Sequence, residues 1–451
     1  MKKNIIKTIL TVSFIFTLVG CENNTTELEP HRPDVYVNGF PVISIDVNFD
    51  LPINWNTSDA ANLQTVRDNW LGATLNISNT SPEFELVDVD IRARGRGNST
   101  WWSFGAKRPI RFRFPDENQP IFDSPHAGRD WVSFANASDG SHLRNFTAYY
   151  LGDLLRFNFT PQVWFAHFYL DGDYRGVYLF LDEREAGPGR GDLYLHEDPT
   201  ISEFMIEFDV RTGRYADEPV NTHWVDVRGS WDIRWPSTSA WMGAENNPHA
   251  LYVDDFITRL DRALIQGDEE TVRAMIDVDS FVDFYILQEF TKNQDARWSS
   301  LFFQIRGQGE ERRMYAGPIW GFDLSAGNTA DTESPEGSHA TTRHASHYLF
   351  DWWFFLNDMP WFHELASQRW YEIRDVEIRQ AIDRAQYMAT NFADDFERDF
   401  ERWSGQRARY LRYDWNSSAT TRSLRSFTEQ TEFLFDWYEQ RILWLDEWFS
   451  Q

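Results

Sequence analysis

The sequence predicts an α+β fold, β-rich in its first part and increasingly helical toward its end. Three observations carry this expectation. Runs such as Val42-Ile43-Ser44-Ile45-Asp46-Val47 and Ala73-Thr74-Leu75-Asn76-Ile77 alternate apolar and polar residues, the period of a half-buried strand. From residue 251 the apolar positions recur at helical spacing instead, as with Phe256, Leu260, Ala263 and Leu264. Phe, Trp and Tyr make up 16% of the 451 residues, enough large side chains for an extensive core.

Taken in order, the chain opens with Lys2, Lys3 and Lys7, then an apolar run over 9–19 that is too short to span a membrane. Residues 1–20 therefore read as an export signal. Leu18-Val19-Gly20-Cys21 resembles a bacterial lipobox, so Cys21, the only cysteine, is the expected lipid attachment point. The exported body then has no thiol and is held together by its core alone. Residues 21–34, polar with Pro30 and Pro33, read as a flexible linker. The body is expected over 35–451, with a β-rich part over 35–200 and a C-terminal lobe over 201–451. Its formal charge of −27, more negative once the leading lysines leave, disfavours nucleic acid and anionic lipid surfaces. The expected place is the cell envelope, tethered by lipid and outside the cytoplasm.

The alternating run over 84–91 leads into Arg92-Ala93-Arg94-Gly95-Arg96-Gly97-Asn98, and a second basic strand follows with Lys107, Arg108, Arg111 and Arg113. This cluster is the local exception in an acidic chain. Gly95-x-Gly97 can bring backbone amides to a phosphate, with Lys107, Arg94 and Arg96 supplying charge. The same residues would equally form a hairpin that neutralises the protein's own acids. Asp171-Gly172-Asp173 reads as a turn between the strands 164–170 and 176–181. Leu143, Phe146, Tyr150, Leu151, Leu154 and Leu155 mark a helix on which Arg144 faces solvent or a carboxylate. The histidines show no metal-ligand spacing. Strands are expected at 202–209 and 224–227, and the helical tail carries a packing stripe of Leu434, Trp437, Tyr438, Arg441, Leu445 and Trp448.

Residues 279–328 hold the most informative stretch. A helix capped by Asp279 or Ser280 carries Phe281, Phe284, Leu287 and Gln288 and ends near Thr291. Asn293-Gln294-Asp295 follows, then a hairpin turning at Gly307–Glu310, then Gly317-Pro318-Ile319-Trp320-Gly321-Phe322-Asp323. A turn there sets Asp295 across from position 322, beside Asp323. Two convergent carboxylates with an Asn are hard oxygen ligands suited to Mg²⁺ (or Mn²⁺) and a triphosphate, or a base and a metal ligand. Two solvated acids capping turns would look the same. Residues 331–347, polar and rich in Gly and Ser, read as a mobile loop beside the site.

Several blocks resemble the CotH kinase-like family, named from a spore-coat protein H. They are Arg94-Gly95-Arg96-Gly97-Asn98-Ser99-Thr100-Trp101 with Lys107-Arg108-Pro109, Trp131-Val132 with Ala135-Asn136-Ala137-Ser138-Asp139, Leu143-Arg144-Asn145, Tyr169 to Tyr178 and on to Glu183, Gln288 to Asp295, and 317–328. The resemblance implies an atypical protein-kinase-like fold with a site between two lobes. It also implies phosphotransfer to an exported protein, with ATP and a divalent metal as cofactors. Under it Asp295 is base or metal ligand, Asp323 the metal ligand and Asn293 a supporting ligand. Lys107, Arg94 and Arg96 contact the nucleotide, and a Lys107–Glu183 pair resembles the kinase ion pair. Relatives usually read Trp-Asp-x-Asp where this chain has Trp320-Gly321-Phe322-Asp323. In a strand, positions 321 and 323 would share a face, so the missing acid implies a slow kinase or a pseudokinase. The alternative function is a non-catalytic surface binding lipoprotein, taking polysaccharide or protein through its tryptophans and acids.

Overall fold

Seven strands of the first part close into a barrel: β1 (Val42–Val47), β2 (Leu71–Ser78), β3 (Leu86–Gly95), β4 (Ile110–Arg113), β5 (Asp130–Phe134), β6 (Val163–Leu170) and β7 (Asp173–Asp182). Their order round the barrel is β1-β2-β3-β4-β5-β7-β6, closed by the parallel pairing of β1 with β6. Four further strands, β8 (Phe204–Phe208), β9 (Trp231–Trp235), β10 (Leu301–Arg306) and β11 (Arg313–Ala316), form an antiparallel sheet in the order β11-β10-β8-β9. The computed structural model describes residues 31–48, 59–97, 99–102, 106–115, 119–210, 231–236, 247–341, 350–413 and 418–451. Cys21, the expected signal, Asn98 and the strand expected at 224–227 lie outside the described residues. Among the described residues no helix is long and apolar enough to cross a membrane. The described chain begins inside the expected linker, where Arg32 pairs with Asp123 at 2.5 Å and lies over the Trp164 ring.

Alternation explains the barrel strands. In β2, Leu71, Ala73, Leu75 and Ile77 face the core while Gly72 and Ser78 face solvent. The expected alternation over 84–91 breaks. The β2–β3 register shifts between Leu75 and Ile77, and Asp88 takes φ +50°. This bulge lets Leu86 and Ile91 lean toward the same interior while Val87 turns outward, 74% exposed. The turn at Asp171 and Gly172 holds, with both residues at positive φ between β6 and β7.

The helix Val278–Thr291 is the spine of the second part. It starts two residues earlier than a cap at Asp279 would set it, because Asp277, and neither Asp279 nor Ser280, caps it by accepting from Ser280 N–H. Every residue from Ser280 to Thr291 is buried, so the helix is not one-faced. Its polar members are met individually. Asp283 accepts from Arg156 at 2.9 Å and from Arg369 at 2.9 Å, and Glu289 pairs with the buried Arg441 at 2.9 Å. Phe284 and Phe281 pack on Phe303 of β10 and on Trp353, and Phe290 stacks on Tyr438.

Glu289 also shapes the segment expected to be a mobile loop. The Glu289 carboxylate accepts from the backbone N–H of His339, Ala340 and Thr341, while Lys292 Nζ donates to the carbonyls of Ser334 and Glu336. Arg441 adds bonds to the carbonyls of Pro335 and Gly337. Over 331–341 the expectation of a mobile loop gives way to a segment pinned by three buried charges. Residues 342–347 lie outside the description.

Asp283→Ala should strip two arginines of their buried partner and cost on the order of 3–5 kcal/mol. Asp279→Ala, whose side chain is 69% exposed against Arg156, should cost under about 1 kcal/mol. Chemical denaturation of both variants checks the contrast; equal losses would contradict it.

Candidate functional site

At the mouth of the barrel the basic motif lines a cavity of about 290 Å³. Strand β3 and the residues after it supply Arg94, Gly95, Arg96 and Gly97; β4 supplies Arg111; the end of β7 leads to Glu183 and Arg184. Arg67 and Asp68 reach it from the helix Ala60–Asp68. Both glycines serve the protein's own packing, since a Cβ on Gly95 would collide with the Trp101 ring and one on Gly97 with Thr100. Three of the expected nucleotide residues, Arg94, Arg96 and Glu183, thus share one cavity.

The basic cluster splits by role. Arg111 and Arg113 both pair with Asp130, which is the self-neutralising reading of this hairpin. Arg94 and Arg96 differ, because among the described residues no carboxylate lies within ion-pair distance of either guanidinium. Instead Arg94 lies over Trp70 at 4.8 Å, and Arg96 lies over Phe134 at 5.0 Å and Trp320 at 5.5 Å. Arg184 covers the Trp320 ring at 3.8 Å. Burial pulls Arg96 down to about 10, only partly offset by Glu183. Burial opposes ionisation of Glu183 too, yet Arg111, Arg184 and Arg96 outweigh it and hold the carboxyl at about 2.

Trp320 leads directly into the acidic loop. β10 and β11 pair as Phe303↔Ala316 and Arg306↔Arg313, two residues from the register the sequence suggests. Beyond β11 the chain leaves strand geometry, with Gly317-Pro318 in cis and Gly321 at φ +70°. Positions 321 and 323 therefore do not share a strand face, which corrects that expectation. A Cβ on Gly321 meets nothing within 4 Å.

The two expected acid loops do meet. Gln294 N–H donates to the Leu324 carbonyl at 3.0 Å, and Asn293 Nδ2 donates to the Gly321 carbonyl at 3.3 Å. Asn293 also caps the short turn Gln294–Arg297 by accepting from Asp295 N–H. Asp323, half-buried, accepts from the Ser138 hydroxyl at 2.9 Å. Among the described residues no group of three or more His, Cys, Asp or Glu is arranged to hold a metal. An Mg²⁺ ion commonly uses only one or two carboxylates and fills its shell with phosphate and water oxygens. A half-buried Asp323 on one loop and Asp295 on the loop stitched to it fit that donor set.

Lys107 is elsewhere. It is 2% exposed, with Nζ 2.6 Å from Asp399 and 3.0 Å from the Val177 carbonyl. The expected Lys107–Glu183 pair is replaced by Lys107–Asp399 on one side and Glu183 with Arg111 and Arg184 on the other. Asp399 also accepts from Val177 N–H and sits 2.9 Å from His142 Nε2. A strand lysine has been used to anchor the helix that carries Asp399, and the arginines take the cavity. Arg184 and Trp320 went unassigned in the sequence, although Arg184 adjoins Glu183 and Trp320 adjoins Gly321.

Residues 91–445 match the family model described as CotH kinase protein. A search of the curated proteins found no match to the chain.

Because Glu183 titrates below its ordinary value of 4.5, its contribution to stability is complete above about pH 4.5 and lost as pH falls toward 2. The expected size is about 3 kcal/mol. Glu183→Gln should lower the melting temperature at neutral pH and flatten its fall between about pH 5 and 3. An unchanged slope in the variant would contradict the assignment.

Proposed function

The chain belongs to the CotH kinase family, and on that premise we propose that it is an ATP- and divalent-metal-dependent protein kinase anchored by lipid at Cys21 outside the cytoplasm. The observation that carries this reading is the junction of two chemistries. The Asn293–Asp295 turn is bonded to the 321–324 loop, and the ring next to that loop, Trp320, lies under two arginines of the cavity. Arg94 and Arg96 would bind the phosphate chain. Asp323, with Asp295 across the stitched loops, would hold the metal, and Asn293 fixes the spacing between them. Asp295 would alternatively serve as the base that takes the proton from an acceptor hydroxyl. When bound, the metal neutralises charge on the transferring phosphoryl group. The barrel with its cavity takes the part of a kinase nucleotide lobe, and the helical second part the part of its partner lobe. With Gly321 where relatives carry an acid, turnover is slow, since one anionic ligand fewer attracts the metal.

Among the described residues the tryptophans give little support to the alternative of a polysaccharide-binding face: Trp101, Trp131, Trp164, Trp231, Trp353, Trp370, Trp403 and Trp437 are fully buried, and the most open rings, Trp102 and Trp298, reach only 37%. The acceptor is an exported protein, given the signal and lipobox of this chain.

Asp323→Ala should abolish the rise in melting temperature that ATP with Mg²⁺ or Mn²⁺ gives the parent protein. Its own stability should fall by only about 1 kcal/mol, the worth of the lost Ser138 hydrogen bond. Undiminished metal-dependent binding in the variant would remove Asp323 from the site. Cys21→Ser should move the protein from the membrane to the soluble fraction; a variant still recovered with membranes, or an unmodified Cys21 by mass spectrometry, would contradict the anchor.

A further inference from the structure

We propose that the arginine cavity reads the phosphate chain of its ligand and not the base, so that inorganic tripolyphosphate occupies it as well as ATP or GTP does. This rests on the phosphotransfer reading of the same site and narrows its ligand class.

The charge balance points to a multiply charged anion. Arg94 and Arg96 line the cavity without a carboxylate in ion-pair reach among the described residues, and the buried Arg94 Nε has no hydrogen-bond partner there. Arg111 and Arg184 share the Glu183 carboxylate, each at 3.3 Å, and Arg111 pairs with Asp130 as well. A cationic lining that its own acids satisfy only in part favours a ligand with several charged oxygens in a row. Guanidinium groups suit such a ligand because each offers paired donors in a fixed fork.

The same lining leaves nothing for a purine. A base needs an open aromatic face or an apolar slot, with a few polar groups at its edge. Every side chain on the cavity wall is charged, and the remaining wall is glycine. The aromatic rings around it are already covered. Arg184 and Arg96 lie over Trp320, Arg184 over Phe302 at 4.1 Å, and Arg113 and Arg94 over Trp70 at 4.2 and 4.8 Å. Even Trp102, 37% exposed, has Arg67 of the cavity 5.9 Å from its ring centroid. A base could stack on any of these only by displacing a cation the phosphates need. The cavity's 290 Å³ also sits at the lower edge of the roughly 300–1,000 Å³ of pockets that enclose whole small molecules.

Glu183 is the competitor in this arrangement. A phosphate chain entering the cavity must share Arg111 and Arg184 with it, so removing its charge frees donors for the ligand.

Isothermal titration of the full chain with Mg²⁺ and, in turn, ATP, GTP, tripolyphosphate and adenosine tests the proposal. The first three should bind within about threefold of one another, and adenosine should give no heat. Arg94→Gln and Arg96→Gln should each weaken ATP and tripolyphosphate by the same factor, about tenfold, the size of one charge-assisted contact. Glu183→Gln should tighten both. ATP binding more than about tenfold tighter than tripolyphosphate would overturn the proposal and leave the phosphotransfer reading standing. Equal binding of the three ligands that neither arginine variant weakens would place the phosphates elsewhere and overturn it too. Silence with all three ligands would remove the phosphotransfer reading itself, and this proposal with it.

Discussion

The buried ion pair between Asp139 and Arg144 is the constraint on which the placement of the site depends. Both side chains are fully buried and meet at 2.5 Å. Arg144 does more than neutralise its partner, because its guanidinium also donates to the Ser325 and Ala326 carbonyls and to the Ser141 hydroxyl. Around it, Asn145 accepts from Phe322 N–H at 2.7 Å, Ser138 donates to Asp323, and Asn328 donates to the carbonyls of Ser138 and Asp323. The loop carrying Asp323 lies outside the strands, and its backbone groups are satisfied partly by Arg144 and Asn145 and partly by the Thr291–Gln294 segment. A buried pair of this kind adds little net stability after desolvation, but a half-broken one is costly. What it secures is one loop geometry among several.

Arginine and aromatic side chains carry the same logic into the cavity. A protein with formal charge −27 has gathered cations at one barrel mouth, where their repulsion must be managed. Stacking on Trp70, Phe134 and Trp320 does this, since a guanidinium is weakly hydrated and tolerates a ring face where an ammonium would demand water. The lysine of the motif is correspondingly withdrawn: Lys107 is sealed against Asp399, and Gly176 has no room for a side chain because Asp399 lies against it. Trp320 is the hinge between the two chemistries, with Arg96 and Arg184 on it and the acidic loop following it.

Local signals in the sequence were sufficient for much of this. The hairpin of β10 and β11, the turn at Asp171 and Gly172, the end of the central helix at Thr291 and the meeting of the 293–295 and 321–323 loops all follow from nearby residues. The errors have a common physical origin in long-range pairing. Nothing near Lys107 announces Asp399, and nothing near Glu289 announces Arg441 or the 338–341 amides it holds. Asp283 and Glu289, polar members of the central helix, are likewise buried against arginines from distant segments. The strand reading of Trp320 to Asp323 failed where the glycines at 317 and 321 take positive φ and end alternation. The α+β class was legible from periodicity, whereas closure of seven strands into a barrel depends on the parallel β1–β6 pairing, which no alternation pattern encodes.

The central claim is that the arginine cavity and the Asp323 loop form one site joined at Trp320. The most direct measurement is a crystal structure of the protein with Mn²⁺ and a non-hydrolysable ATP analogue, read by anomalous scattering from the metal. The account predicts the manganese peak on the Asp323 carboxylate, with the phosphate chain running from it onto Arg94 and Arg96. A metal peak away from Asp323, or phosphates bound outside the cavity, would contradict it.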